Sequence, residues 1–245
     1  MTKNLKETKS KKKDKLKTIV GSNYCSPKKP KTKTKTKTKQ KTCYDYKSLK
    51  KIAKTWNKKH TKKNKKIKIN TKTEDIDKLW SKIDEKLSDT CKNEWCWINN
   101  TYSNLTHTDF FRPKKPKLWK KKPREWLDSN NIYDVMAQYE NKFTDFVFIG
   151  PVPIDFNLKR TNGKCIIDEL CKLKLKTLLT KKKKKVAIVF NLDKHDEEGS
   201  HWVALFCDIK KSQINYFDSY GIEPEDEIKV LINRFYDDLL EINAK

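Results

Sequence analysis

A histidine and an aspartate seventeen positions apart, His201 and Asp218, carry the strongest chemical signal in this chain. They bracket the stretch GSHWVALFCDIKKSQINYFDSYG (199–221), which alternates like two β-strands joined by Asp-Ile-Lys-Lys-Ser. In such an antiparallel hairpin the start of the first strand lies beside the end of the second, which puts His201 next to Asp218. A carboxylate beside an imidazole sets its tautomer and stabilises the imidazolium, as a general base requires. The spacing is also compatible with a surface histidine and a turn aspartate that share no role. Along the first strand Trp202, Ala204 and Phe206 face away from His201, Val203, Leu205 and Cys207.

Several elements must position this hairpin. Leu49, Ile52, Ala53 and Trp56 fall on one helical face, as do Ile76, Leu79, Trp80, Ile83 and Leu87, with Thr73 and Glu74 as capping candidates. These two short helices bury few residues and are expected to pack on the domain that follows. Ile132, Val135, Met136 and Tyr139 predict another helix. DFVFIG (145–150) reads as a strand ended by Gly150-Pro151, CIIDELCKLKLKTLL (165–179) as one helix, VAIVFNL (186–192) as a buried strand, and EPEDEIKVLINRFYDDLLEI as a closing amphipathic helix. Helices, then antiparallel strands, then a helix predict an α+β fold.

The chain has 245 residues and a net charge of +26, which first suggests a nucleic-acid binder. Residues 1–70, however, hold 27 lysines against 3 acids, so nearly all of the excess lies in the N-terminal third. The expected organisation is a disordered Lys-rich tail (1–42), a helical extension (43–111), a proline-punctuated basic linker (112–124) and a folded domain (125–245). The tail could contact DNA or another polyanion, could be a nuclear address, or could be solvated without a specific partner. The N-terminus lacks the apolar core of a secretory signal, and no run approaches a membrane span, so no membrane partner is expected. Seven scattered cysteines then read as reduced thiols of an intracellular protein. Cys91 and Cys96, with His60 and His107 as recruits, weakly suggest zinc. The Trp-Cys-Trp at 95–97 reads instead as packing against the following domain, Cys165 and Cys171 as structural on different helix faces, and His195 as a solvated loop residue. No cofactor or metal is expected.

HWVALFCD followed by INYFDSYG resembles the histidine and aspartate segments of the adenain/Ulp-type cysteine proteases. That family includes ubiquitin-like-protein (SUMO) proteases, the adenovirus protease and processing proteases of large DNA viruses. EWLDSNNIYDVMAQY (125–139) resembles its substrate-side segment, and FVFIGPVPIDF and VAIVFNLDKHDEEGSHW resemble the large-virus branch. The resemblance spans roughly 123–221 and extends to the final helix. It implies a papain-like fold with His201 as general base, Asp218 as its orienting acid, and Trp202 and Trp126 on the substrate side. A cysteine thiolate would attack after Gly-rich sites of a viral polyprotein or ubiquitin-like fusion. The implied setting is intracellular: a virion or viral factory in the cytoplasm, with the nucleus as the alternative.

The family places its cysteine after the acid, in a Gln…(E/D)CG segment whose Gln supplies an oxyanion donor. Here no cysteine follows Cys207. Against that pattern the domain reads as C-terminally truncated, with a split gene or an inactive nucleic-acid- or substrate-binding relative as alternatives. Cys207 lies six residues along the strand from His201, roughly 20 Å at strand rise, and is expected to pack as a small apolar residue.

Overall fold

The computed structural model describes residues 24–27, 42–70, 73–91, 93–101, 105 and 110–244. Apart from residues 24–27 and Thr42, the expected tail lies outside them, as does His107. The chain forms two compact units whose main division falls between Phe111 and Arg112.

The first unit holds α1 (Tyr46–Lys59), α2 (Ile76–Leu87) and α3 (Glu94–Thr101). Asp45 caps α1 by accepting from the Ser48 amide at 2.8 Å, and Asp75 caps α2 through the Lys78 amide at 2.9 Å. Asp75 thus takes the position expected of Thr73 or Glu74. The apolar faces read from the sequence close on each other: Leu49, Ile52, Ile83, Leu87 and Trp97 are fully buried within this unit. The unit therefore has a core of its own rather than depending on the next domain for burial. Trp97 of the Trp-Cys-Trp run stacks on Tyr44 inside that core.

In the second unit α4 (Ser129–Lys142) starts at a capping box made by Asp128 and Asn131. The sheet order is β1 (Phe146–Pro153), β2 (Lys185–Asn191), β3 (Trp202–Asp208), β4 (Gln213–Phe217), and α7 (Asp226–Asn243) closes the unit. β3 and β4 form the expected antiparallel hairpin through a 3₁₀ turn at Ile209–Lys211. β1 and β2, by contrast, are parallel. A parallel pair needs a crossover, and residues 154–184 supply it.

That crossover corrects the single helix expected over 165–179. It contains two short helices, α5 (Asp168–Cys171) and α6 (Leu175–Thr180). Leu173 and Leu175 are both buried, and residues two apart cannot share a helical face, so the chain extends at Lys174. α7 holds the break at both ends. Arg234 donates through Nη1 to the Cys171 carbonyl (2.8 Å) and through Nη2 to that of Leu170 (2.7 Å), while Asp238 accepts from the Leu175 amide at 2.9 Å.

The expectation of reduced thiols is not met. Cys25–Cys43, Cys91–Cys96 and Cys165–Cys171 are disulfide-bonded, which leaves Cys207 free. Cys165 precedes α5 instead of sharing a helix with Cys171, so the two sulfurs can meet. Bonded to each other, Cys91 and Cys96 offer no thiolate to a metal.

Candidate active site

Strand pairing brings His201 and Asp218 together. The last β3–β4 pair is Ala204 with Phe217, and the same register carried on sets Val203 opposite Asp218 and His201 opposite Tyr220. Val203, Leu205 and Cys207 are buried on the core face of β3, while Trp202, Ala204 and Phe206 look the other way and are partly exposed. His201 and Asp218 share the parity of the core face, just past the ends of their strands.

His201 Nε2 lies 2.5 Å from Asp218 Oδ1. The imidazole keeps about 20% of its surface and the carboxylate 2%. Asp218 also accepts from the amides of Tyr220 (3.0 Å) and Ile222 (3.2 Å), which curl the chain after β4 around it. The hydrogen bond from His201 and those backbone donors hold its carboxyl below the ordinary carboxylate range. An ionised carboxylate only accepts, so the proton of this bond sits on Nε2, and in the neutral imidazole Nδ1 is then the nitrogen that carries the lone pair. Nδ1 has no hydrogen-bond partner among the described residues. The Tyr220 ring stacks on the imidazole at a centroid separation of 4.6 Å and itself remains largely exposed.

The loop between β2 and β3 sets the approach to His201. Asn191 Oδ1 accepts from the amides of Asp193 (3.0 Å) and Ser200 (3.2 Å). Asp193 in turn accepts from the Gly199 amide at 3.0 Å and from the Ser200 hydroxyl. The Leu192 amide donates to the His201 carbonyl at 3.0 Å. Gly199 has φ +100, and a Cβ there would stand 2.5 Å from Asn191 Nδ2. The two residues before the histidine are therefore clamped by side chains at the end of β2.

Trp202 points away from the pair and donates its indole N–H to the Leu127 carbonyl at 3.0 Å. The neighbouring Trp126 is 63% exposed. The backbone at Leu127, next to Trp126 in the chain, thus lies against Trp202. Cys207 sits at the far end of β3, buried, with its thiol pushed up to about 12 by desolvation and the charge of Asp208. A thiol so placed is neither ionised nor within reach of Nδ1.

His195 is an exposed loop residue, as expected, but one with a partner. Its Nδ1 lies 2.7 Å from Asp155 Oδ2, and its amide donates to Asp155 Oδ1 at 3.0 Å. This second His–Asp pair ties the β2–β3 loop to the chain leaving β1. Asn191, Asp193, Asp155 and Tyr220 were not singled out from sequence. One signal was available: Asn191 and Asp218 each accept from the amide two residues on, the local turn that Asn and Asp favour.

No family model matches the chain. By fold, the chain can be set beside a crystal structure of an ASFV protease at a TM-score of 0.48 and 16% identity, covering 92% of this chain and 75% of that one. By sequence, it is 34% identical over 125 residues, 51% of its length, to a protein of Acanthamoeba polyphaga mimivirus named "Putative thiol protease". The chain spans 38% of that protein's length.

Proposed function

We propose that this chain provides the base-and-acid part of a cysteine-type peptidase site. The observation that carries the reading is the ionised Asp218 bound to His201 Nε2, which in the neutral imidazole leaves Nδ1 as the accepting nitrogen. The similarity to a viral protein named as a thiol protease supports it. Nδ1 takes the proton of a thiol, and the thiolate adds to a peptide carbonyl. The imidazolium then returns that proton to the departing amine, and a thioester forms. Water, deprotonated by the same nitrogen, hydrolyses the thioester and restores the thiol. Asp218 holds the ring and stabilises the imidazolium without being protonated. The thiol comes from outside the seven cysteines of this chain, six of which are bonded and one buried.

Trp202 and Trp126 flank the substrate approach, and the substrates are proteins cut after Gly-rich segments, a viral polyprotein or a ubiquitin-like fusion. Contact of the Lys-rich tail with a polyanion, and residence in the infected cell or virion, belong to the same proposal.

The test is hydrolysis of a fluorogenic Gly-Gly peptide by the chain supplied with a Cys-bearing fragment in trans. The expected result is cleavage that disappears with His201→Ala and falls at least a hundredfold with Asp218→Ala. Cleavage indifferent to both substitutions overturns the reading. So does duplex DNA binding by the chain with no cleavage under any complementation, which would make it a binding protein.

A further inference from the structure

α1 presents a row of lysines that the fold does not use. Lys47, Lys51, Lys54 and Lys58 are spaced four, three and four residues apart, which places all of them within a narrow stripe on one side of the helix. All four are exposed. None of their ammonium groups has a hydrogen-bond or ion-pair partner among the described residues. The row runs about 16 Å along the helix at 1.5 Å per residue. From Tyr46 to Asn70 there are 11 lysines and no acid, and Lys62, Lys63, Lys65 and Lys66 extend the positive surface beyond the helix end.

Like charges at this spacing oppose helix formation, so local stability does not explain the row. The neighbouring α2 is built differently: it mixes acids with its lysines and pairs Lys78 with Asp75 and Lys86 with Glu85.

We propose that this face of α1 binds the phosphate backbone of a double-stranded nucleic acid, independently of sequence. A membrane fits less well, because the apolar side of α1 is already buried: Tyr46, Leu49, Ile52 and Ala53 lie in the core and none is left to enter lipid. A single strand fits less well, because the stripe offers no ring for bases to stack on. Trp56 stacks on His60 and donates its N–H to the Lys65 carbonyl. Base reading is also unprovided for. Asn57, which could contact base edges, exchanges two hydrogen bonds with the Ile67 backbone (2.9 and 2.7 Å). What remains is a straight row of point charges, the chemistry of phosphate contact. The site lies in the first unit, so its failure would leave the reading of His201 untouched.

The test is fluorescence anisotropy of the full chain with two unrelated 30-base-pair DNA duplexes over a salt series. Lys47→Gln, Lys51→Gln, Lys54→Gln and Lys58→Gln are combined in one variant. A matched variant carries Lys33→Gln, Lys35→Gln, Lys37→Gln and Lys39→Gln, removing equal charge from the tail. The helix variant is expected to bind both duplexes at least tenfold more weakly, with its log K against log salt slope smaller by about 3 to 4. The tail variant should lose less, and four arginines at the helix positions should restore binding, which excludes misfolding as the cause. The proposal is overturned if the helix variant binds duplex as the unaltered chain does or if the tail variant loses as much. Tighter binding of a single strand, or of phosphatidylserine vesicles, than of the duplexes would also overturn it.

Discussion

Replacing Gly199 by alanine tests whether the β2–β3 loop is a rigid presenter of His201. Two costs follow from the geometry. The backbone has φ +100, and a side chain in that region costs about 1–2 kcal/mol. The new Cβ would also meet Asn191 Nδ2 at 2.5 Å, inside any tolerable contact. A terminal amide ordinarily moves aside, but this one is anchored through Oδ1 to the Asp193 and Ser200 amides. Displacing it sacrifices both bonds, at about 1 kcal/mol each. Gly199→Ala should therefore destabilise the second unit by about 3–4 kcal/mol, and Asn191→Ala by about 2 kcal/mol. In the double variant the obstructing amide is already gone, so only the backbone strain adds. The two changes together should cost about 2 kcal/mol less than the sum of the singles. Urea unfolding of the full chain, read from the amide resonances of Val203 and Leu205 on β3, measures all four corners. The imidazole Nε2–H signal of His201 should broaden in each variant as the loop loosens. Costs that add within about 0.5 kcal/mol would refute the anchored-amide argument.

Asp238→Ala should destabilise the same unit by about 1–2 kcal/mol in urea unfolding, because the Leu175 amide that starts α6 loses its acceptor. Depressed carboxyls at Asp218 and Asp145 stabilise the folded state fully above the unfolded value of about 3.9, and that contribution disappears as pH falls through their lower folded values. Thermal melts should therefore fall steeply below about pH 4, and less steeply in Asp218→Asn. Thiol titration without reductant should find no reactive cysteine in the native protein and one after denaturation, that of Cys207.

Much of the fold was legible because burial periodicity acts locally. The faces of α1 and α2, the β3–β4 hairpin and the amphipathic α7 all follow from which residues must point the same way. The interval 165–179 was misread for a physical reason. Its apolar spacing fits a helix until Leu173 and Leu175 must both enter a core defined by strands and by α7, a demand that no local window contains. The parallel pairing of β1 and β2 was hidden likewise, since a strand carries no mark of its partner's direction.

The candidate site divides in the same way. Sequence by itself determined the residue types, the hairpin and the placing of His201 beside Asp218, because strand alternation and a short turn leave little freedom. Only the tertiary structure decided which imidazole nitrogen faces the carboxylate and which stays open. It also decided that Asn191 and Asp193 clamp the loop before the histidine, and that Tyr220 covers its ring. Those relations depend on strand register and on hydrogen bonds between segments that fold independently of each other in sequence. The lysine row of α1 belongs to both: its spacing is written in the chain, but only the buried opposite face shows that the charges are left to the solvent side.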